Sequence, residues 1–232
     1  ISFLRDWLRS YKPLTDAQAD TVEILLEQLY RERGITKETD MSVLRHEDFP
    51  LLCELYALLE RQAGGSGVFT DETLRELRLH LHSLCVGPDS LYFNGHTNIG
   101  SGRFVTFGVK SLLEAGQNLR DAMLFNIFSY MNNELLCAGN TVAAIDELYL
   151  YLNNKTAIGY IRACMKRARK KESSLLLASQ NVEDFLLPEA AELTKPLFSI
   201  PAYQFLFHPG TVDGGKYREA LQLEECEYGV VR

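Results

Sequence analysis

Apolar positions follow two regimes along the chain. Up to about residue 85 they recur at helical spacing. Beyond Gly87, short continuous apolar runs alternate with helical stretches. The stripe Ala19, Val22, Leu25 or Leu26, and Leu29 predicts a helix over roughly 16–33, N-capped by Thr15 and ended by Gly34. FPLLCELYALLERQ predicts a second helix near 49–62, stopped by the breaker Ala63-Gly64-Gly65-Ser66-Gly67. Thr70 opens a third helix, with Asp71 and Glu72 in the first turn, where carboxylates complement the helix dipole. Thr73 stands where a capping box needs Glu or Gln, so that box is incomplete.

From Gly87 onward, turn residues (Pro88, Asp89, Asn94, Gly95, Gly100, Gly102) separate pieces expected to be extended, LYF at 91–93 and RFVTFGV at 103–109. A long helix is predicted over about 117–137, ended by Gly139-Asn140. Residues 148–171 read as helix on the stripe Leu148, Leu150 or Tyr151, Ile158, Ile161 and Met165. Short helices are expected near 181–185 and 188–195, and a last one at 214–223. Strands are expected near 104–109, 141–146, 174–178, 197–200 and 203–207. The layout is therefore a helical subdomain over residues 1–86, followed by an alternating α/β portion over 87–232.

One stretch carries most of the chemistry. In TVAAIDELYL (141–150), four apolar residues run straight into Asp146-Glu147, the pattern of a buried parallel strand ending in two carboxylates. Such a pair is costly to bury without a cation beside it. Ligands of open α/β sheets collect at the carboxyl ends of strands. This is the form of a Walker B strand, with Asp146 facing Mg²⁺ and Glu147 facing the attacking water. SLLLASQ (174–180) is a second apolar run, ending in an amide. Strand, helix and strand make a βαβ unit with a right-handed crossover. Asp146, Glu147 and Gln180 are then expected on one rim, with Gln180 bonding a γ-phosphate or a water.

Composition narrows the class. The chain has 232 residues, 46% hydrophobic and 24% charged, with a formal charge of −7: enough for a full core and ordinary for a globular protein. No apolar run approaches the length of a membrane span. No signal peptide is visible, and Ile1 is not an initiator Met, so the chain reads as a fragment. Cys53, Cys85, Cys137, Cys164 and Cys226 are scattered without a CxxC pair, which suggests reduced thiols and a cytosolic setting. The acidic balance argues against a surface that coats nucleic acid, while leaving room for a local basic patch. His80 and His82 would not share a helix face, so a metal site there is not expected. Arg162, Lys166, Arg167, Arg169, Lys170 and Lys171 form a cationic run; it reads as a solvated face, or as the source of a cation that reaches a phosphate across a subunit boundary.

With AAIDELYLYL (143–152), LLLASQNVEDFL (175–186) and FVTFGVKSLLEAGQNLRDAMLFNIFSYM (104–131) in hand, the chain resembles the cytoplasmic ATPase of conjugation and type IV secretion machines, the TraC/TraE/TrsE-type, RecA-like motors. The family pattern is an Asp-Glu followed by an aromatic-rich helix, then a small-residue–Gln pair. Tyr149 stands where the family often has Trp, and Ser179 where it often has Thr. No GxxxxGK[ST] occurs; GGSGVFT (64–70) lacks the Lys.

The resemblance implies an α/β, RecA-like P-loop NTPase core, a mostly parallel sheet flanked by helices, with residues 1–86 as an all-helical insertion. The N-terminal Walker A region is absent, and the fragment is expected to be inactive alone. It implies ATP and Mg²⁺ as ligands. Asp146 would hold Mg²⁺ through water, Glu147 would polarise the attacking water, Gln180 would sense the γ-phosphate, and Arg162 would be supplied in trans. Expected partners are other subunits of a secretion or conjugation complex and further copies in a hexamer, in the cytoplasm at the inner face of the bacterial membrane, against membrane-embedded components. Nucleic acid is a possible partner that the residues do not themselves indicate. Two other functions fit the residues: a non-catalytic docking module of the secretion complex, and a DNA-translocating motor of the coupling-protein type.

Overall fold

In the computed structural model, the described residues are 1–62, 68–100, 102–152, 154–180, 185, 188–210 and 212–231. The chain divides into two compact units, Ile1–Met123 and Leu124–Arg232.

The first unit is helical: α1 (Ser2–Tyr11), α2 (Asp16–Glu32), α3 (Leu52–Arg61), α4 (Asp71–Cys85), the one-turn α5 (Ser90–Phe93) and α6 (Lys110–Leu113), and the start of α7 (Gln117–Asn133). Thr15 caps α2 in a full capping box, its hydroxyl accepting the Gln18 N–H while Gln18 Oε1 accepts the Thr15 N–H at 2.9 Å. Gly34 ends that helix region at φ 75°, a left-handed conformation that suits glycine. The predicted stripe Ala19, Val22, Leu25, Leu26 and Leu29 is buried. α2, α3 and α4 pack on one another and bury Leu55, Leu58, Leu59, Leu74, Leu77, Leu81 and Leu84. Trp7 anchors α1: it is buried, its indole N–H donates to the Ala122 carbonyl at 3.1 Å, and Phe93 meets its ring edge-on.

The second unit holds β1 (Val142–Ile145) and β2 (Ser174–Leu177), paired in parallel with Val142 opposite Ser174 and Ile145 opposite Leu177. Between them run a 3₁₀ turn (Leu148–Tyr151), α8 (Lys155–Arg167) and a second 3₁₀ turn (Ala168–Lys171). This is the expected βαβ unit. Alternation sets its faces: Ala143 and Leu175 pack against Leu135, Leu136, Cys164 and Ala168, whereas Val142 and Leu176 are exposed. The end of α7 passes into a π turn over Glu134–Ala138. Gly139 then turns the chain into β1 at φ 75° and ψ −176°. A Cβ there would sit 2.9 Å from the Lys171 carbonyl oxygen, so glycine is required sterically as well.

Several expected strands are corrected. Residues 104–109 carry no regular strand and are largely exposed. Residues 197–199 close a helix, α9 (Pro188–Ser199), rather than a strand. Residues 203–207 form no strand: Gln204 Nε2 donates to the Phe198 carbonyl at 2.7 Å, and Tyr203, Phe205 and Phe207 are exposed. LYF at 91–93 lies in helical α5. The two last helices are α10 (Gly214–Leu221), which matches expectation, and α11 (Glu225–Val231). The helix expected near 181–185 lies, except for Phe185, outside the described residues, as does most of the Gly-rich stretch 64–70.

Candidate functional site

The backbone ladder sets the geometry of the acidic pair. The Ala178 N–H donates to the Ile145 carbonyl at 2.9 Å, and the Leu148 N–H donates to the Ala178 carbonyl, also at 2.9 Å. One residue after β2 thus grips the chain on both sides of Asp146-Glu147, and that dipeptide is forced out as a two-residue detour. The detour places Glu147 in the left-handed region at φ 52°, ψ 46°. For a residue with a Cβ, such a conformation costs roughly 1–2 kcal/mol. Non-glycine strain of this kind concentrates at functional sites.

The side chains follow from this backbone. Asp146 is exposed, and its Oδ1 accepts the Glu147 N–H at 2.9 Å. Glu147 turns inward, half-buried. Gln180, three residues beyond β2, donates from Nε2 to Glu147 Oε1 at 2.6 Å. The other carboxylate oxygen, Oε2, is shielded from solvent and accepts no hydrogen bond among the described residues. Of the three residues read from the sequence as one rim, Gln180 and Glu147 are joined by a side-chain hydrogen bond, while Asp146 meets Glu147 only through the backbone N–H next in sequence.

Behind the rim, Leu148 and Tyr151 are buried, and Phe128 meets the Tyr151 ring edge-on with centroids 5.5 Å apart. Burial pushes the Tyr151 hydroxyl up from its ordinary pKa. Asn154 Oδ1 accepts the Ala157 N–H at 2.8 Å and starts α8. Sequence reasoning missed this cap; the signal was an Asn just ahead of the apolar stripe of α8. Ile158, Ile161 and Cys164 then seat α8 in the core, and burial raises the Cys164 thiol pKa.

Arg162 lies on α8, half-buried, about two turns from the start of the helix. It bonds none of Asp146, Glu147 and Gln180, and pairs with no carboxylate among the described residues. Lys166 is exposed. The cation is thus not gathered into the rim.

The rim suits one kind of metal. Among the described residues no three His, Cys, Asp or Glu side chains converge. An all-protein cage is therefore not offered here. Mg²⁺ needs none: it keeps several waters and takes one or two carboxylates together with substrate phosphates. Asp146, exposed at the strand end, fits that role. A separate open cavity of about 500 Å³, lined by His208, Gly214, Arg218 and Tyr228 among others, shares no residue with the rim.

A parallel βαβ unit with its polar rim at the strand ends, together with a helical unit, is an α/β arrangement consistent with a RecA-like fold that carries a helical part. The relatives give that fold a setting. Over 99% of its length the chain is similar to VirB4 of Thermoanaerobacter pseudethanolicus, with 30% identity and a TM-score of 0.81, covering 62% of that solved chain. It is also 28% identical, over 113 residues, to a probable conjugal transfer protein, TrbE, of Sinorhizobium fredii. That match takes in 48% of this chain and 17% of the relative. The chain thus spans less than two thirds of either protein. No family model matches it. These likenesses bear out the resemblance read from the sequence: the chain is similar to a portion of VirB4 and to a portion of a conjugal transfer protein.

Proposed function

We propose that this chain carries the water-activating half of an ATP-hydrolysing site in a motor that powers type IV secretion or conjugative transfer. The observation that carries the reading is the bond from Gln180 to Glu147 beside an exposed Asp146 at the end of a parallel strand. In this reading Asp146 would hold Mg²⁺ through water, and the bound ion would supply positive charge against the phosphates. Glu147 accepts the proton of a water that attacks the γ-phosphorus; the bond to the leaving oxygen breaks, releasing ADP and phosphate. Gln180 meets the γ-phosphate, and Arg162 of a neighbouring copy supplies positive charge.

The 232 residues hold no GxxxxGK[ST]; in this reading the phosphate-cradling loop lies outside them and the chain alone is inactive. Residues 1–86 act as a helical insertion, within a compact helical unit that runs to Met123, ahead of the α/β unit Leu124–Arg232. The assembly is a homo-oligomer, a hexamer, working with other secretion subunits at the cytoplasmic face of the bacterial membrane. No helix among the described residues is long and apolar enough to cross a membrane.

The test is ATP hydrolysis by the natural polypeptide that also contains the phosphate loop. Glu147→Gln keeps size and hydrogen bonding while removing the base, and kcat is expected to fall at least about a hundredfold. Undiminished turnover removes Glu147 from the mechanism. Failure to bind nucleotide at all leaves the docking module instead.

A further inference from the structure

One carboxylate oxygen of Glu147 is engaged and the other is shielded in the observed geometry. Oε1 is occupied by Gln180 Nε2 at 2.6 Å. Oε2 is shielded from solvent and unpaired among the described residues. A general base has to stand within about 2.6–3.2 Å of the proton it removes, or act through one water. The oxygen that water can reach already holds the amide and keeps one lone pair, and the other is shielded, so this arrangement fixes the orientation of the carboxylate and narrows its access to water.

The arrangement is also easy to undo. A shielded acceptor without a donor is unfavourable. The left-handed backbone at Glu147 adds strain to the same residue. The Gln180–Glu147 bond itself lies in an exposed setting, where other acceptors compete for the amide. Glu147 uses only one of the two amide hydrogens, so Gln180 retains a donor with which to engage an anion before it lets go.

We infer that Gln180 is a latch on Glu147: its amide keeps the carboxylate in a resting orientation, and a terminal phosphate arriving at the rim draws the amide away and frees the base. This rests on the hydrolytic reading above and adds regulation to it. Gln180 is then a positioning residue, acting through Glu147, and phosphate occupancy and base release become a single event. A chain without triphosphate would keep its base restrained, limiting futile activation of water.

The latch is tested on this chain without any turnover, by labelling carboxylates with a water-soluble carbodiimide and an amine and resolving Glu147 and Asp146 by fragment mass spectrometry. Gln180→Ala is expected to raise Glu147 labelling at least about threefold while leaving the already exposed Asp146 unchanged. Gln180→Asn, one methylene too short to hold the same bond, is expected to do the same, with far-UV circular dichroism confirming that both variants fold. Equal or reduced Glu147 labelling in both folded variants overturns the latch and makes Gln180 an ordinary brace.

A second arm uses the natural polypeptide with Mg²⁺ and a non-hydrolysable ATP analogue, reading the Gln180 side-chain amide by NMR. The triphosphate analogue is expected to shift that signal, and ADP to leave it in place. Nucleotide that binds without moving the amide overturns the latch while sparing the hydrolytic reading. Absence of nucleotide binding overturns the hydrolytic reading and, with it, release by phosphate, whereas the labelling arm still decides whether Gln180 restrains Glu147.

Discussion

Gln180 Nε2 and Glu147 Oε1 lie 2.6 Å apart, a bridge between side chains separated by 33 positions in sequence. The segment after β2 carries one and the turn after β1 the other, so the parallel register alone brings them to a single rim. The bond rests on a backbone detour that Ala178 clamps from both sides.

That detour gives a prediction about stability rather than activity. Glu147→Ala and Glu147→Gly remove the same carboxylate but differ in their tolerance of φ 52°. Glycine ordinarily destabilises relative to alanine. Here the order is expected to reverse, with the Gly variant more stable than the Ala variant by about 1 kcal/mol in urea unfolding.

Two glycines should respond oppositely to alanine. Gly139 sits at φ 75°, ψ −176°, with the Lys171 carbonyl oxygen 2.9 Å from where a Cβ would be. Gly139→Ala is expected to cost about 2–3 kcal/mol. Gly159 lies within α8 with open space around it, so Gly159→Ala is expected to gain up to about 1 kcal/mol from helix propensity. Chemical unfolding of the pair checks both signs.

The N-terminus of α2 depends on the reciprocal bonds of Thr15 and Gln18. Thr15→Ala leaves an N–H unpaired there and is expected to destabilise the first unit by about 1 kcal/mol. Thermal unfolding measures the loss.

Alkaline pH should weaken the first unit through two groups. Burial, and secondarily the hydrogen bond to Asp89, raises Tyr11 from 10.0 to about 12. Burial, and secondarily the nearby Cys53, raises the Cys85 thiol from 9.0 to about 12. Both raised pKa values mean that the folded chain keeps protons which the unfolded chain releases, so stability falls as pH rises. The contribution is fully present below about pH 9 and is lost progressively toward pH 12. Urea midpoints at pH 8, 10 and 11 should decline, and Tyr11→Phe should flatten the decline above pH 10, where Tyr11 starts to titrate in the unfolded chain.

Local chemistry was enough to read α2, α3, α4, α8 and the β1–β2 pair, because each rests on contacts close in sequence or on a clear apolar period. Thr15 ahead of the stripe 19–29, and the run Val142–Ile145 into two acids, carry their own boundaries. The candidate rim was legible for the same reason: neighbouring parallel strands finish at the same edge, so the ends that carry Asp146-Glu147 and Gln180 lie side by side. Apolar runs without such support were not legible. PLFSI is too short for its period to separate strand from helix, and it became the end of α9 because Leu197 is buried there and Phe198 meets Phe185 edge-on. YQFLF has a strand's alternation, but a strand exists only with a partner, and none of the described residues supplies one. The left-handed backbone of Glu147 and its closure by Gln180 were decided by tertiary structure alone. They arise from the grip of Ala178 on a carbonyl and an amide group of another segment, a constraint no stretch of sequence contains by itself.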